Sequence, residues 1–352
     1  MNSLYYRGAN TELHVGDAID VMASLPSASV DCVVTSPPQW GLRDYGTAEW
    51  IGGDPRCRHT LGTTPHQRRS VKKTRTDDHS ARTEKRCRRC GALSRDKQYG
   101  LEETLDDYVH KIAEVSTEIA RILTGEGTFW LNLRDAYSYH NNGTGSTRSI
   151  VPDRDDQVVR HKSLMGIPWR VALHLQMQGW IIRNAIVWNK PNSIPDPATD
   201  RFSSRYEMVF LLVKQPDYHV DISRILEPLS RERPSYRKYH RGGNKPYTIR
   251  SSWIPQDSGK NPGDVWSIST RPLPEAHCAP FPVDLPWRCI GAGCPDNGHV
   301  LDPFSGSGTT GLAARKLGRF YQGIDLRRDY HDIALRRLAD SKLSTLDLPE
   351  EA

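Results

Sequence analysis

No apolar run in the chain approaches the roughly 18 residues that a membrane-crossing helix needs. The opening residues Met1-Asn2-Ser3-Leu4-Tyr5-Tyr6-Arg7 lack the zones of a secretory leader. A soluble, cytoplasmic protein without membrane contact is therefore expected. Cysteine is sparse and odd in number, seven in 352 residues, which argues against a disulfide framework and favours reduced thiols or a metal site. No glycine-rich loop ends in Lys-Ser or Lys-Thr, so a P-loop triphosphate site is not expected. Internal repeats are also missing.

What the chain does have is charge, unevenly placed. The net charge is only +6, yet residues 55–97 hold fourteen Lys/Arg against four Asp/Glu. A second basic stretch, 217–262, has nine Lys/Arg against five Asp/Glu, with Tyr236, Tyr239 and Tyr247 among them. Local excess on a nearly balanced chain points to a polyanion partner. With 37% hydrophobic residues, the remainder can bury one sizeable core and carry a small additional lobe.

Between the basic stretches, apolar runs alternate with helical periodicity. Residues 11–17 and Val30–Val34 read as short strands. From Thr104, the residues Leu105, Tyr108, Val109, Ile112, Val115, Ile119 and Ile122 share one helical face, with Gly125 and Gly127 expected to end the helix. A strand follows at Thr128–Leu133, continuous in its apolarity as a doubly covered strand is. Further on come a helix over 169–177, strands over 180–188, 206–213 and 265–268, and a closing helix over 329–338. This alternation predicts an open, doubly wound α/β sheet interrupted by two excursions.

Two loops carry the chemistry. In Val300-Leu301-Asp302-Pro303-Phe304-Ser305-Gly306-Ser307-Gly308-Thr309-Thr310, an apolar run stops at an acid, passes a Gly-x-Gly turn and enters a helix-forming segment that starts at Gly311. Such a turn lets backbone and a helix N-terminus approach a nucleotide-like ligand. About twenty residues on, Tyr321-Gln322-Gly323-Ile324-Asp325 is a second strand ending in an acid, placed to accept from ribose hydroxyls. The other loop, Thr35-Ser36-Pro37-Pro38-Gln39-Trp40, follows a hydrophobic strand. Its prolines stiffen the backbone and remove amide donors, leaving the carbonyls of Ser36 and Pro37 as acceptors. A group that brings only donors, such as the exocyclic amine of a nucleobase, suits that bend.

These two loops, with His277-Cys278-Ala279-Pro280-Phe281-Pro282 between them, resemble in this order the DNA amino-methyltransferases of the beta arrangement, in which the catalytic loop precedes the cofactor loop. The resemblance covers nearly the whole chain outside the two excursions. It implies a mostly parallel, Rossmann-like sheet and S-adenosylmethionine as cofactor. The cofactor would lie against Asp302, Phe304, Ser305, Gly306, Gly308 and Thr309, with Asp325 on the ribose where the family more often has Glu. His277, Phe281 and Pro282 would close over the methionine end. The catalytic loop would be Ser36, Pro37, Pro38, Gln39 and Trp40. Implied partners are double-stranded DNA and a cognate restriction endonuclease, with monomer and homodimer both open.

The resemblance also implies direct methyl transfer to an amine of a base flipped out of the duplex. Carbon-5 methylation would need the attacking thiolate that its enzymes take from a Pro-Cys dipeptide, and this chain has none. Ser in front of Pro-Pro tilts the target toward cytosine N4, and adenine N6 stays open. Gln39 departs from the family, which commonly has a stacking Tyr there. Trp40 could supply the ring, Gln39 could bond a base edge, or the protein could bind cofactor and DNA without turnover.

Residues 1–50 and 101–216 are expected to form the catalytic half and 263–345 the cofactor-binding half, with 346–352 a tail. Segment 51–100 is a basic insertion holding Cys57, His59, Cys87 and Cys90, a set that matches one structural zinc. His66 or His79 are alternative fourth ligands, and thiols in a basic loop without metal are the plainer reading. Arg68, Arg69, Arg86, Arg88 and Arg89 there would face phosphates. Segment 217–262 corresponds to the family's target-recognition region, with Arg231, Arg233, Arg237, Lys238 and Arg241 as candidates for DNA contact. Arg205-Tyr206-Glu207 and 184–190 resemble positions that line the base pocket.

Overall fold

The computed structural model describes residues 3–59, 85–138, 159–228, 259–271 and 281–339. Its elements, in order, are β1 (Leu4–Arg7), β2 (Thr11–Val15), α1 (Ala18–Met22), β3 (Val30–Thr35), β4 (Glu49–Ile51), β5 (Lys85–Arg86) and β6 (Leu93–Arg95). There follow α2 (Leu105–Ile122), β7 (Leu123–Leu133), α3 (Ile167–Met177), β8 (Ile181–Asn189), β9 (Tyr206–Val213) and β10 (Val265–Ser267). The chain closes with α4 (Asp284–Gly293), β11 (His299–Asp302), α5 (Thr309–Lys316), β12 (Phe320–Asp325) and α6 (Arg328–Ala339).

Among the described residues, nine strands form one sheet in the order β1-β2-β12-β11-β3-β7-β9-β8-β10. All neighbouring pairs from β2 to β7 are parallel, as is β8 with β10. β9 runs antiparallel between β7 and β8, and β1 is an antiparallel edge. The doubly wound, mostly parallel sheet is therefore present, with a reversed strand that periodicity alone does not reveal.

Alternate residues of the central strands feed two cores. Val33, Phe129 and Leu131 face one core under α1, α2 and α3, while Cys32, Val34 and Trp130 face the other under α4 and α5. Period-two alternation with both faces apolar is what burial on both sides demands. α2 is capped by Thr104, whose side chain accepts from the Asp107 amide at 3.0 Å, and its first-turn acids oppose the helix dipole.

Two departures from expectation concern glycines packed against the sheet. α2 ends at Ile122, and Gly125 and Gly127 lie inside β7. A side chain at Gly127 would strike Leu123 and the Asp31 carbonyl, so this glycine serves close strand packing. Helix α4 has no counterpart in the sequence reading, because Pro286, Gly291 and Gly293 look like breakers. Pro286 falls in the first turn, where a missing amide costs nothing. Gly293 lets the helix touch the sheet: a Cβ there would lie 2.6 Å from Thr128 Oγ1 and from Trp130 Nε1.

From β3 the chain passes through α2 to β7 on one side, and from β11 through α5 to β12 on the other. The junction of β11 and β3 is thus a topological switch point, where open α/β sheets bind ligands beyond their strand ends.

Candidate active site

Both sequence loops leave the sheet at that junction. The Asp302 carboxylate closing β11 accepts from Thr35 Oγ1 of β3 and from Thr310 Oγ1 of α5, each at 2.6 Å, and from the Phe304 amide at 3.0 Å. One buried acid therefore joins the end of β3, the glycine loop and the following helix. Burial raises its pKa to about 6 against the lowering effect of these donors. Asp325, at the end of β12, accepts from the amides of Gly306 and Arg327, both at 2.9 Å. Burial lifts it to about 7, with nearby Asp302 adding to the rise.

A cavity of about 770 Å³ opens between the loops. Ser36, Pro37, Pro38 and Gln39 line it, together with Asp302, Phe304, Ser305, Gly306, Thr309, Asp325 and Phe281. The size suits a nucleoside-like ligand with space beside it. Gly306 has φ +47 and a Cβ there would meet no protein atom, so its bare face is turned to open space. A carboxylate at a strand end, exposed loop backbone and a helix start together fit an adenosine-bearing cofactor.

Trp40 does not line this cavity. Its ring is buried in the core and its indole N–H donates to the Glu102 carbonyl at 3.0 Å, so the ring that Gln39 lacks does not come from Trp40. Gly308 is likewise absent from the lining. With φ +75, it starts α5, and a Cβ there would lie 2.7 Å from the Ala334 Cβ, so its role is helix packing. Pro282 is buried and its carbonyl accepts from Leu285 at the start of α4. His277 lies outside the described residues, as do Arg231, Arg233, Arg237, Lys238 and Arg241, Arg68, Arg69, His66 and His79.

Gln39 makes the unexpected contacts. Its Nε2 donates to Ser36 Oγ at 3.4 Å and to the Pro37 carbonyl at 3.1 Å, while its Oε1 accepts from the Arg134 amide at 2.9 Å. The side-chain amide thus sits on the two acceptors that the donor-free bend presents. The Pro38 carbonyl is taken by the Tyr108 hydroxyl at 3.1 Å.

The far wall comes from strand ends that sequence reasoning had only partly picked out. Trp188, Lys190, Tyr206 and Glu207 line it, along with Asn132 and Arg134. Lys190 pairs with Glu207 and lies 4.3 Å from the Trp188 ring centre. Arg205 instead bonds Ser193 Oγ and the Pro191 carbonyl, outside the lining. Because β9 is reversed, its first residue Tyr206 meets the last residue of β8, Asn189, at the same sheet edge. A reversed strand, invisible to local pattern, brings Tyr206 to the site.

Cys57, His59, Cys87 and Cys90 come together away from this cavity, with their donor atoms all within 4.8 Å of one another. Among the described residues, no helix is long and apolar enough to cross a membrane.

A switch-point cavity holding a nucleotide-type loop on one side and a rigid acceptor bend on the other defines an α/β group-transfer enzyme. A family model described as DNA methylase matches residues 30–336. The chain is 33% identical to the type II methyltransferase M.Cfr9I of Citrobacter freundii, over 93% of this chain and 87% of that one. It is 32% identical to M.SmaI of Serratia marcescens, over 92% and 89%. In fold it is similar to the PvuII DNA methyltransferase (cytosine-N4-specific), with TM-score 0.61, 18% identity, and 98% and 93% of the two chains covered. The chain belongs to the DNA methylase family, and is an S-adenosylmethionine-dependent DNA amino-methyltransferase of the type II modification class.

Proposed function

We propose that the chain methylates the exocyclic N4 amine of cytosine in a base turned out of double-stranded DNA. The observation that carries this reading is the single cavity shared by the Ser36–Pro37 bend and the Gly306–Asp325 cradle, tied at Asp302. The PvuII enzyme of like fold is cytosine-N4-specific, and TTHA0409 of Thermus thermophilus, TM-score 0.51 and 20% identical, was solved complexed with S-adenosyl-L-methionine. When bound, that cofactor supplies a methyl group already activated on a sulfonium.

The chain's own work is binding and orientation. Asp325 and the Gly306 backbone hold the adenosine end, Phe304 packs beside it, and His277 and Phe281 close the methionine end. Ser36 Oγ and the Pro37 carbonyl accept the two amine hydrogens, which turns the nitrogen lone pair out of conjugation and toward the methyl group. Transfer would join the methyl carbon to the amine nitrogen as its bond to sulfur breaks; the surplus proton stays on that nitrogen, hydrogen bonded to Ser36 Oγ or the Pro37 carbonyl, until water takes it. No covalent protein intermediate is needed.

For the base to enter, the Gln39 amide leaves Ser36 Oγ and Pro37. Its –NH₂ presents the same pair of donors as the target amine and keeps the acceptors satisfied between turnovers. Half-exposed Tyr206, on the opposite wall, is the ring available to stack on the base. Arg43 and Arg134, exposed at the rim, face the duplex backbone. Residues 217–262, with Arg231, Arg233, Arg237, Lys238 and Arg241, read the target sequence, and a cognate restriction endonuclease is the natural companion.

Methyl transfer from labelled S-adenosylmethionine to DNA, followed by digestion to nucleosides and mass spectrometry, tests this. N4-methylcytosine is expected. N6-methyladenine would overturn the cytosine assignment, and DNA left unlabelled would leave a cofactor and DNA binder without turnover.

A further inference from the structure

We infer that Cys57, His59, Cys87 and Cys90 bind one structural Zn²⁺ that staples one wall of the active-site cavity. This holds whichever base is methylated. A tetrahedral zinc site with Zn–S of about 2.3 Å and Zn–N of about 2.0 Å separates sulfurs by about 3.8 Å and sulfur from nitrogen by about 3.5 Å. Cys57 Sγ and Cys87 Sγ stand 3.9 Å apart, and Cys90 Sγ and His59 Nδ1 3.3 Å apart. The sulfur separation is nearly twice a disulfide bond, so the pair is gathered without being joined.

The surroundings are built for a metal. The Cys87 carbonyl accepts from the Gly91 amide at 2.9 Å, and Gly91 takes φ +74, which folds Cys87-Arg88-Arg89-Cys90-Gly91 into a tight knuckle. Within it the Arg89 amide points at Cys87 Sγ at 3.4 Å, the kind of donor that steadies a bound thiolate. The Trp50 ring stacks on His59, with centres 4.8 Å apart, and fixes the imidazole's orientation. At Gly53 a Cβ would fall 2.7 Å from Cys90 Sγ, so bare backbone is what lets this loop reach the cluster. Three thiolates and an imidazole, with no place left for water, make a closed site for a borderline-soft ion, the pattern of structural rather than catalytic zinc.

The site lies in a three-stranded sheet, β4-β6-β5, with strands of two or three residues. Among the described residues of this lobe, Cys87 and Ala92 are the well-buried hydrophobic side chains, too few for a core of their own, and a metal supplies cohesion. The chain enters β4 from residues 42–47 and leaves β6 into 96–100, and these two segments are laced together. Thr47 Oγ1 donates to Asp96 at 2.6 Å, the Tyr45 amide to Gln98 Oε1 at 2.7 Å, and Gln98 Nε2 to the Arg43 carbonyl at 2.8 Å. Tyr45, Thr47, Gln98 and Tyr99 all line the cavity. Tyr99 packs edge-on against Phe304 at 4.9 Å, and Gly100 backs the Pro38 and Gln39 carbonyls. The ion thus pins the far ends of the two segments that form this wall.

The test uses the full chain purified from zinc-replete medium. About one zinc per chain is expected, and exchange for Co²⁺ should give the thiolate charge-transfer and tetrahedral ligand-field bands. Cys87→Ser with Cys90→Ser should lose the metal, and His59→Cys, which leaves four thiolates, should retain it. Stripping zinc from wild-type protein should expose residues 42–59 and 85–100 to limited proteolysis while the α/β body stays intact, and added Zn²⁺ should restore protection. Metal-free protein that takes up no Co²⁺, or zinc retained in the double serine variant, would overturn the site. Unchanged proteolysis after stripping would overturn the stapling role. Should the serine variants prove insoluble, the Co²⁺ spectrum of the wild-type chain decides.

Discussion

Ser36 Oγ and the Pro37 carbonyl are where the smallest change tells most. Ser36→Ala removes one of the two acceptors proposed for the target amine, a hydrogen bond of about 1–3 kcal/mol, or roughly 5- to 150-fold. The expected outcome is a fall in kcat of that order with the Kd for S-adenosylmethionine nearly unchanged, measured by steady-state methyl transfer and calorimetry. Equal loss of both would contradict the role given to Ser36. Gln39 is a contest of two terms. Its amide holds the acceptors with two neutral hydrogen bonds of about 1 kcal/mol each, whereas a stacked ring contributes about 1–3 kcal/mol to holding the base. Gln39→Tyr should therefore keep or raise kcat/KM for DNA. A collapse beyond about a hundredfold, nearly 3 kcal/mol, would mean that the amide itself engages the base. The Thr35-Ser36-Pro37-Pro38 chemistry was legible because proline's missing donor is a property of the residue. That Gln39 folds back onto the bend was not, since the outcome depends on the Arg134 amide arriving from β7.

Among the elements, α2 could be read directly: all seven residues of its expected face are buried, because an amphipathic stripe records which side meets the core. Helix α4 could not, because its glycines answer a demand from across the core. Gly293 lies against Thr128 and Trp130, whose side chains are themselves hydrogen bonded at 3.0 Å. Gly293→Val should push α4 off the sheet at a cost of about 1–3 kcal/mol, read as a lowered Tm. An unchanged Tm would mean that the helix shifts freely. The direction of β9 belongs to the same class: an apolar run reads alike in either sense, and only its pairing with β7 and β8 decides that Tyr206 reaches the cavity.

For the whole molecule, charge and burial combine at the cofactor site. Asp325 sits at about 7 because burial disfavours its anion, and the proposed contact to ribose hydroxyls is one that the anion makes. Raising the pH ionises Asp325, so affinity should be full above about 8 and should weaken as pH falls through 7, by up to about tenfold per unit below the pKa. The Kd for S-adenosylmethionine measured from pH 8 to pH 6 checks this, and Asp325→Asn should flatten the profile. A flat profile in the unaltered chain would remove Asp325 from the ribose.

By itself the sequence determined the motif chemistry, the strand-and-helix alternation and the Cys-x-His and Cys-x-x-Cys pairs, since each follows from residue type at short spacing along the chain. The tertiary structure alone decided that Asp302 joins the two loops, that Trp40, Gly308 and Pro282 stay out of the cavity lining, that Gln39 covers Ser36 Oγ and the Pro37 carbonyl, and that Cys57 and His59 meet Cys87 and Cys90. Those outcomes depend on which surfaces meet across the sheet, and a contact between residues hundreds of positions apart leaves no periodic mark in either segment.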